Sequence, residues 1–188
     1  MIYPLPALLV SCGSSPADYN LFTVAWAGTI CTNPAMCYIS VRPERHSYEL
    51  IKESMEFVIN LTTGAMARAT DFCGVRSGRD MDKLAAAKLT VEPASKLSAP
   101  VIAQSPLALE CKVREIIPLG SHDMFLAEIV AVDVEERLLD EAGKLHLEKA
   151  GLMAYSHGEY FAMGKKIGSF GYSVRKKHPK NPNLKKKK

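Results

Sequence analysis

Two clusters of basic and hydroxyl-bearing residues carry the clearest potential for chemistry in this 188-residue chain. The first is the run VRPERHSYEL, which places Arg42, Arg45, His46 and Ser47 just ahead of a helical pattern. A helix N-terminus offers unpaired N–H groups and the positive end of the helix dipole, so this corner suits an anion such as phosphate. The same residues also suit a plain strand-to-helix corner whose arginines pair with nearby acids. The second cluster is GVRSGRDMDKL: Gly74 and Gly78 allow close backbone approach, and Ser77, Arg79 and Lys83 supply donors. Such loops form anion-binding nests or exposed linkers. Two of them around one fold could hold one phosphate between them. A third feature, TVAWAG, sets the only tryptophan, Trp26, beside Ala25, Ala27 and Gly28. Small residues let the backbone approach a flat ligand closely, although a tryptophan in a strand is also an ordinary core residue.

Other chemistries lack their residues. No Gly-x-Gly-x-x-Gly follows a strand pattern, and neither the Gly-x-x-x-x-Gly-Lys-Ser/Thr loop nor the Gly-x-Ser-x-Gly elbow occurs. His46, His122, His146, His157 and His178 are scattered and form no metal-ligand pair. The five cysteines are odd in number and include no Cys-x-x-Cys, which argues against a disulfide framework or a structural zinc site and fits a reducing compartment.

The elements that must position these residues are mainly β. Leu5–Ser11 reads as a strand stopped by CGSSP, and Leu21–Ile30 as one strand broken by Thr-Asn-Pro. Cys37–Val41 and Phe57–Leu61 read as strands, with a short helix at Ser47–Glu53 between them. The alanine-rich middle predicts helices at Ala65–Phe72 and Asp82–Ala87, with Asp80 or Asp82 at the start of the second and a Gly-rich loop at Gly74–Asp80 between them. In LALECKVREI, Leu109, Cys111 and Val113 point inward while Glu110, Lys112 and Arg114 point to solvent. A long strand continues through DMFLAEIVAVDVEERLL, and DEAGK, with Gly143 free to take positive φ, turns a hairpin. About seven strands with short inserted helices and no βα alternation predict a closed or nearly closed antiparallel barrel.

Bulk composition fits one soluble domain: 47% of residues are hydrophobic and 23% charged. No run is long enough to span a bilayer and the start has no signal-peptide pattern, so a cytoplasmic location is expected. The net charge of +4 hides an asymmetry. Residues 175–188 hold eight basic residues and no acid, leaving 16 basic and 20 acidic in the rest. The expected organisation is a domain at 1–174 and a flexible basic tail at 175–188.

Taken in order, NLFTVAWAGTICTNPAMCYISVRPERHSYELI, EFVIN, FCGVRSGRDMDKL, LECKV, HDMFLAEIVAV and YSHGEYFAMGKKIGSFG resemble the flavin reductase-like, FMN-binding split-barrel proteins, of the flavoredoxin and archaeal ferric reductase type. The resemblance covers about residues 4–175. It implies a split β-barrel of antiparallel Greek-key type, a homodimer, and one FMN per subunit near the interface. It places the flavin ring along Thr23, Val24, Ala25 and Trp26, with Cys31, Thr32 and Asn33 facing it from the strand end. It places the phosphate at Arg45, His46 and Ser47, with Asn60, Ser77, Gly78, Arg79 and Lys83 as the other wall. Tyr155, His157 and Tyr160 would cover the flavin or meet the partner subunit.

The implied mechanism needs no catalytic acid–base pair, because the flavin carries the chemistry. NAD(P)H would act as a transient reductant, giving hydride to N5, and electrons would pass to free flavin, ferric iron or a protein acceptor. A flavoredoxin-like carrier reduced by a protein partner is the alternative. A basic-tailed nucleic-acid-binding barrel is a remote third; the tail lacks interleaved aromatic residues, so neither a nucleic acid nor a membrane is an expected partner.

Overall fold

Short β-branched and aromatic runs, punctuated by Gly, Pro and Asn, build the strands that carry the site. The computed structural model describes residues 2–175; apart from Arg175, the basic tail lies outside them. Along the chain come β1 (Leu5–Pro6), β2 (Leu8–Cys12), β3 (Asn20–Val24), β4 (Ala27–Thr32), β5 (Ala35–Val41), α1 (His46–Ser54) and β6 (Glu56–Leu61). Then follow α2 (Ala67–Val75), α3 (Lys83–Ala87), β7 (Val91–Glu92), β8 (Val101–Ile102), β9 (Leu107–Pro118), β10 (Asp123–Val134), β11 (Met153–Ser156) and β12 (Glu159–Ala162).

Seven strands pair antiparallel in the order β3-β2-β6-β9-β10-β5-β4. Strands β3 and β4 are consecutive in sequence yet lie at opposite edges of this sheet. The two-residue link Ala25–Trp26 therefore joins the edges, and Ser40 donates its amide to the Trp26 carbonyl at 2.8 Å. This corrects the reading of Leu21–Ile30 as one strand. Its β-branched composition runs through the corner, and only the small residues beside Trp26 permit the sharp change of direction.

Other expectations shift in smaller ways. Leu5–Ser11 divides into β1 and β2, which join different sheets, β1 pairing with the β11–β12 hairpin. The long strand from Asp123 stops at Val134 and passes into a 3-10 turn at Glu136–Leu138. The DEAGK turn forms around Gly143 at φ 74°, closed by an isolated bridge between Leu139 and Leu145. Asp82 caps α3, accepting from the Ala85 amide at 3.1 Å.

The barrel interior is filled by Val10, Phe22, Ile39, Phe57, Ile59, Val113 and Phe125, and α1 contributes Tyr48 and Ile51. Helices α2 and α3, with the 3-10 turn that leads into α2, cover the outside of β2 and β3 with Met66, Cys73 and Leu84 against Leu9 and Leu21. Both faces of β2 are thereby buried. Glu110 departs from its expected solvent face and is fully buried. The segment leading to β8 crosses over it, and its carboxylate accepts from the Ser95 amide and hydroxyl at 2.7 Å each and from the Lys96 amide at 2.8 Å. Strand alternation alone cannot reveal a carboxylate covered by a returning loop.

Candidate functional site

The edge where β3 meets the β3–β4 corner opens into a cleft with two lobes. The first lobe, about 380 Å³, is lined by Thr23, Val24, Ala25 and Trp26, by Ser40–Arg42 at the end of β5, and by Gly74 on α2. Tyr155 and Tyr160 of the β11–β12 hairpin overhang it. Strand β3 pairs only with β2 in its sheet, so its other edge carries backbone N–H and C=O groups with no strand partner. Gly74 lets α2 approach that edge closely, since a β-carbon there would stand 3.2 Å from Thr23 Cβ. The Thr23 hydroxyl fixes the contact by donating to the Thr70 carbonyl. Tyr160 donates its hydroxyl to Asp71 Oδ1 at 3.2 Å, which ties the hairpin to α2; burial and the Asp71 charge push its phenol up to about 12.

The second lobe, about 320 Å³, is lined by Arg45, His46 and Ser47 from the start of α1, by Arg76–Arg79 from the loop after α2, and by Lys83. Phe22 and Arg45 line both lobes, so the two form one continuous cleft. Four cations converge on the second lobe, namely Arg45, Arg76, Arg79 and Lys83, against one lining acid, Glu44, which pairs with Arg42 at 3.4 Å. The N-terminus of α1 opens here at Arg45, and no side chain caps it. Arg45 Nη1 donates to the Gly74 carbonyl at 3.3 Å and Arg79 Nη1 to the Glu44 carbonyl at 3.1 Å, which braces both guanidiniums.

Lys83 is only 4% exposed, and its Nζ donates to the Cys73 and Arg76 carbonyls at 3.3 Å each. Burial lowers its ammonium from the ordinary lysine value. His46 is also lowered, first by burial and then by Arg79 and Lys83, so its imidazole is neutral near pH 7. Asn20 donates to Ser47 Oγ at 2.7 Å and closes the lobe floor. Gly78 is required by this geometry: a β-carbon there would overlap the Asn20 carboxamide and reach 3.1 Å from His46 Cδ2.

The fold thus gathers Thr23, Val24, Ala25, Trp26, Tyr155 and Tyr160 on the first lobe, and His46, Ser47, Ser77, Gly78, Arg79 and Lys83 on the second, with Arg45 between. His157 stands in the β11–β12 turn at φ 51°, with its ring 5.0 Å from that of Tyr3, beside Gly158, which lines the first lobe. Cys31, Thr32 and Asn33 fall at the tip of the β4–β5 hairpin and line neither lobe of their own chain. Asn60, expected on the second wall, lines neither lobe. It is fully buried, its amide donates to Leu9 O, Ser11 Oγ and Val58 O, and its Oδ1 accepts from the Ile102 amide at 2.8 Å. An asparagine engaged at both ends of its carboxamide in this way locks β2, β6 and β8 together. Residues not singled out in sequence include Asn20, Ser40, Asp71, Arg76 and His122. Asn20 heads the stretch that carries the first lobe, but an amide at a strand start gives no signal of its own; His122 reaches the first lobe only through the β9–β10 turn.

Comparison with known proteins agrees with this geometry. The family described as flavin reductase like domain matches residues 1–164. Flavoredoxin of Desulfovibrio vulgaris (Miyazaki F) is 29% identical and superposes with a TM-score of 0.86, covering 93% of this chain and 95% of that one. Flavoredoxin from Methanosarcina acetivorans is 28% identical, with a TM-score of 0.83 and coverage of 93% and 95%. An FMN-binding protein from Thermus thermophilus, 24% identical with a TM-score of 0.76 over 89% of this chain and 90% of that one, shares the fold. The split barrel, the two-lobed cleft and the family match along nearly the whole chain lead to one conclusion: this protein is a member of the flavin reductase-like family.

Proposed function

We propose that the protein is an FMN-dependent oxidoreductase whose flavin lies along the two-lobed cleft. The observation that carries this reading is the sharing of Arg45 and Phe22 between a lobe with aromatic walls and free strand edges and a lobe with four convergent cations. A planar ring joined by a short chain to a phosphate has that polarity. The donor set fits it: guanidiniums, a buried ammonium and an uncapped helix start suit a phosphate, and an unpaired strand edge suits the N–H and C=O groups of the ring's pyrimidine side.

On this reading Arg45, Arg79 and Lys83 hold the phosphate, with Ser47 and Ser77 as hydroxyl donors, and the backbone of Thr23–Trp26 orients the ring. When bound, FMN would supply the redox chemistry, taking hydride from NAD(P)H and passing electrons to free flavin, ferric iron or a protein acceptor. The chain's own residues bind, orient and exclude water: Tyr160, fixed to Asp71, roofs the ring lobe, and Trp26, 38% exposed, borders its open flank. The fixed N–H dipoles of the β3 edge would favour negative charge on a bound ring. The two flavoredoxin structures, each above 25% identity, favour a second reading as an electron carrier reduced by a protein. Dimerisation belongs to the same proposal, as does a cytoplasmic location, which the five free cysteines fit. No helix among the described residues is long and apolar enough to cross a membrane.

The test is to purify the protein, release and identify bound flavin, and then follow its absorbance after mixing with NADH or NADPH. FMN that bleaches with either nicotinamide supports the reductase. FMN that bleaches with neither supports the carrier. Protein that neither retains nor rebinds FMN refutes both.

A further inference from the structure

The chain after β12 is an arm whose side chains find no seat on their own body. In residues 163–174, Ile167 is 91% exposed, Phe170 103% and Val174 82%, and Met163 and Tyr172 are also largely exposed. The last backbone hydrogen bond from the arm to the body runs from the Met163 amide to the Leu152 carbonyl at 3.2 Å, and Lys166 beyond it interacts with the Glu148 carboxylate. Beyond that its backbone bonds are local, Tyr172 N to Ser169 O at 2.9 Å and Val174 N to Gly171 O at 3.3 Å. The Tyr172 ring lies against the Gly168 backbone, where a β-carbon would come within 2.6 Å of it. The arm is therefore a formed hook and not a loose end, and it leaves five large apolar side chains exposed, of the kind that mark an interaction site.

A complementary feature lies on the body. An open notch of about 290 Å³ is lined by Leu5, Trp26, Ala27, Tyr38 and Leu119, and both Trp26 and Leu119 expose apolar surface. It borders the ring lobe, with which it shares Trp26, Ser40 and His122. Charge is complementary as well. Ten basic residues and no acid follow Ala162, against 14 basic and 20 acidic residues before it. The arm is thus cationic and apolar, and the body of any copy is anionic with an apolar notch. Burying the arm's apolar residues would cover on the order of 500 Å² per arm. With the surface they cover on the other copy, this approaches the roughly 800 Å² per partner of a stable dimer.

We infer that two copies exchange their C-terminal arms, and that the hook of one copy, led by Ile167 and Phe170, seats in the Trp26–Leu119 notch of the other and walls the open flank of its ring lobe. This deepens the dimer reading above and rests on it. It does not depend on flavin, because its first readout is mass. A twofold arrangement makes the exchange reciprocal, so each site is completed by the other chain.

The experiment is light scattering on the full chain at micromolar concentration, beside the Ile167→Asp/Phe170→Asp double variant and Leu119→Asp. The full chain is expected at twice 20.6 kDa. The double variant is expected to weaken the dimer at least about 100-fold, as removal of two interface anchors does, with its far-UV circular dichroism unchanged because the arm is outside the core. Phe170→benzoylphenylalanine in one copy, mixed with an isotope-labelled copy and illuminated, is expected to join the peptide carrying Leu119 of the other copy. A dimer that survives the double variant overturns the arm exchange while leaving dimerisation intact. A monomeric full chain overturns both, as does one that sediments with phosphatidylserine vesicles as a monomer. Photo-crosslinks confined within one copy would make the arm a strap over its own site, contrary to the inference.

Discussion

Replacing Arg45 by alanine should separate phosphate recognition from ring recognition. The guanidinium borders both lobes and is braced on the Gly74 carbonyl at 3.3 Å. It has no acid partner among the described ion pairs, so its charge is available to a ligand. A charge-assisted hydrogen bond to phosphate is worth about 1.5–3 kcal/mol, which corresponds to roughly a 10- to 150-fold loss of affinity. The Arg45→Ala variant should therefore raise the dissociation constant for FMN by that factor. Riboflavin, which has the ring and no phosphate, should bind wild type and variant within about two-fold of each other, a difference of only ~0.4 kcal/mol. Titration of flavin fluorescence measures both constants on one preparation. The FMN difference should shrink as salt rises, since the cationic lobe is open to solvent. Two results would refute the reasoning. FMN held as tightly as in wild type removes the phosphate assignment. An equal loss for FMN and riboflavin would mean that Arg45 acts through its Gly74 contact on the ring lobe and does not bind an anion.

Four further substitutions test neighbouring parts of the argument. Asn60→Ala should cost about 2–4 kcal/mol of stability, because it orphans buried partners on three strands, yet leave FMN affinity unchanged; equal loss of binding in folded protein would restore Asn60 to the site. His46→Ala should abolish proton uptake on FMN binding near pH 6. In the free protein burial, and after it Arg79 and Lys83, hold the imidazole below its usual range, and a bound phosphate would raise it, so affinity should strengthen as pH falls; calorimetry in buffers of different ionisation enthalpy reads this, with the variant correcting for the phosphate's own titration. Gly78→Ala should weaken FMN binding about five- to ten-fold by displacing Asn20 from Ser47, a lost contact of about 1–1.5 kcal/mol, and unaltered binding would show that the floor can yield. Asp133→Asn should raise the melting temperature at pH 8 and change it little at pH 3. Burial and the Glu110 charge raise the Asp133 carboxyl, so its native state favours the proton, and wild-type stability falls as pH rises through that raised value; a pH-independent effect would refute the pairing.

How far the sequence discloses the site depends on whether a residue's role is local. The turn chemistry around Gly143, the Asp82 cap and the helix beginning beside Ser47 rest on interactions within a few positions, and each appears as its pattern predicts. The anion lobe is legible for the same reason, because each half is a local concentration of basic residues and only their meeting is tertiary. The surroundings of Glu110 and Asn60 are not legible because alternation reports which face of a strand a side chain takes, not what later crosses that face. In one case the segment at Ser95–Lys96 covers a carboxylate, and in the other the Ile102 amide engages a carboxamide. The stretch Asn20–Ile51 hides more. Its β-branched run looks continuous, yet the chain changes sheet edge at Ala25–Trp26. On the proposed reading that corner is the functional feature. The break at small residues carries the chain to the opposite edge of the sheet and leaves the outer edge of β3 without a strand partner beside the first lobe. The residues that look inconsistent with a plain strand are therefore the ones that make room for a ligand, and lengthening the corner by one inserted glycine after Ala25 should cost ring binding before it costs the fold. Riboflavin affinity measured against melting temperature would decide this, and a variant that loses both together would show that the corner serves barrel closure alone.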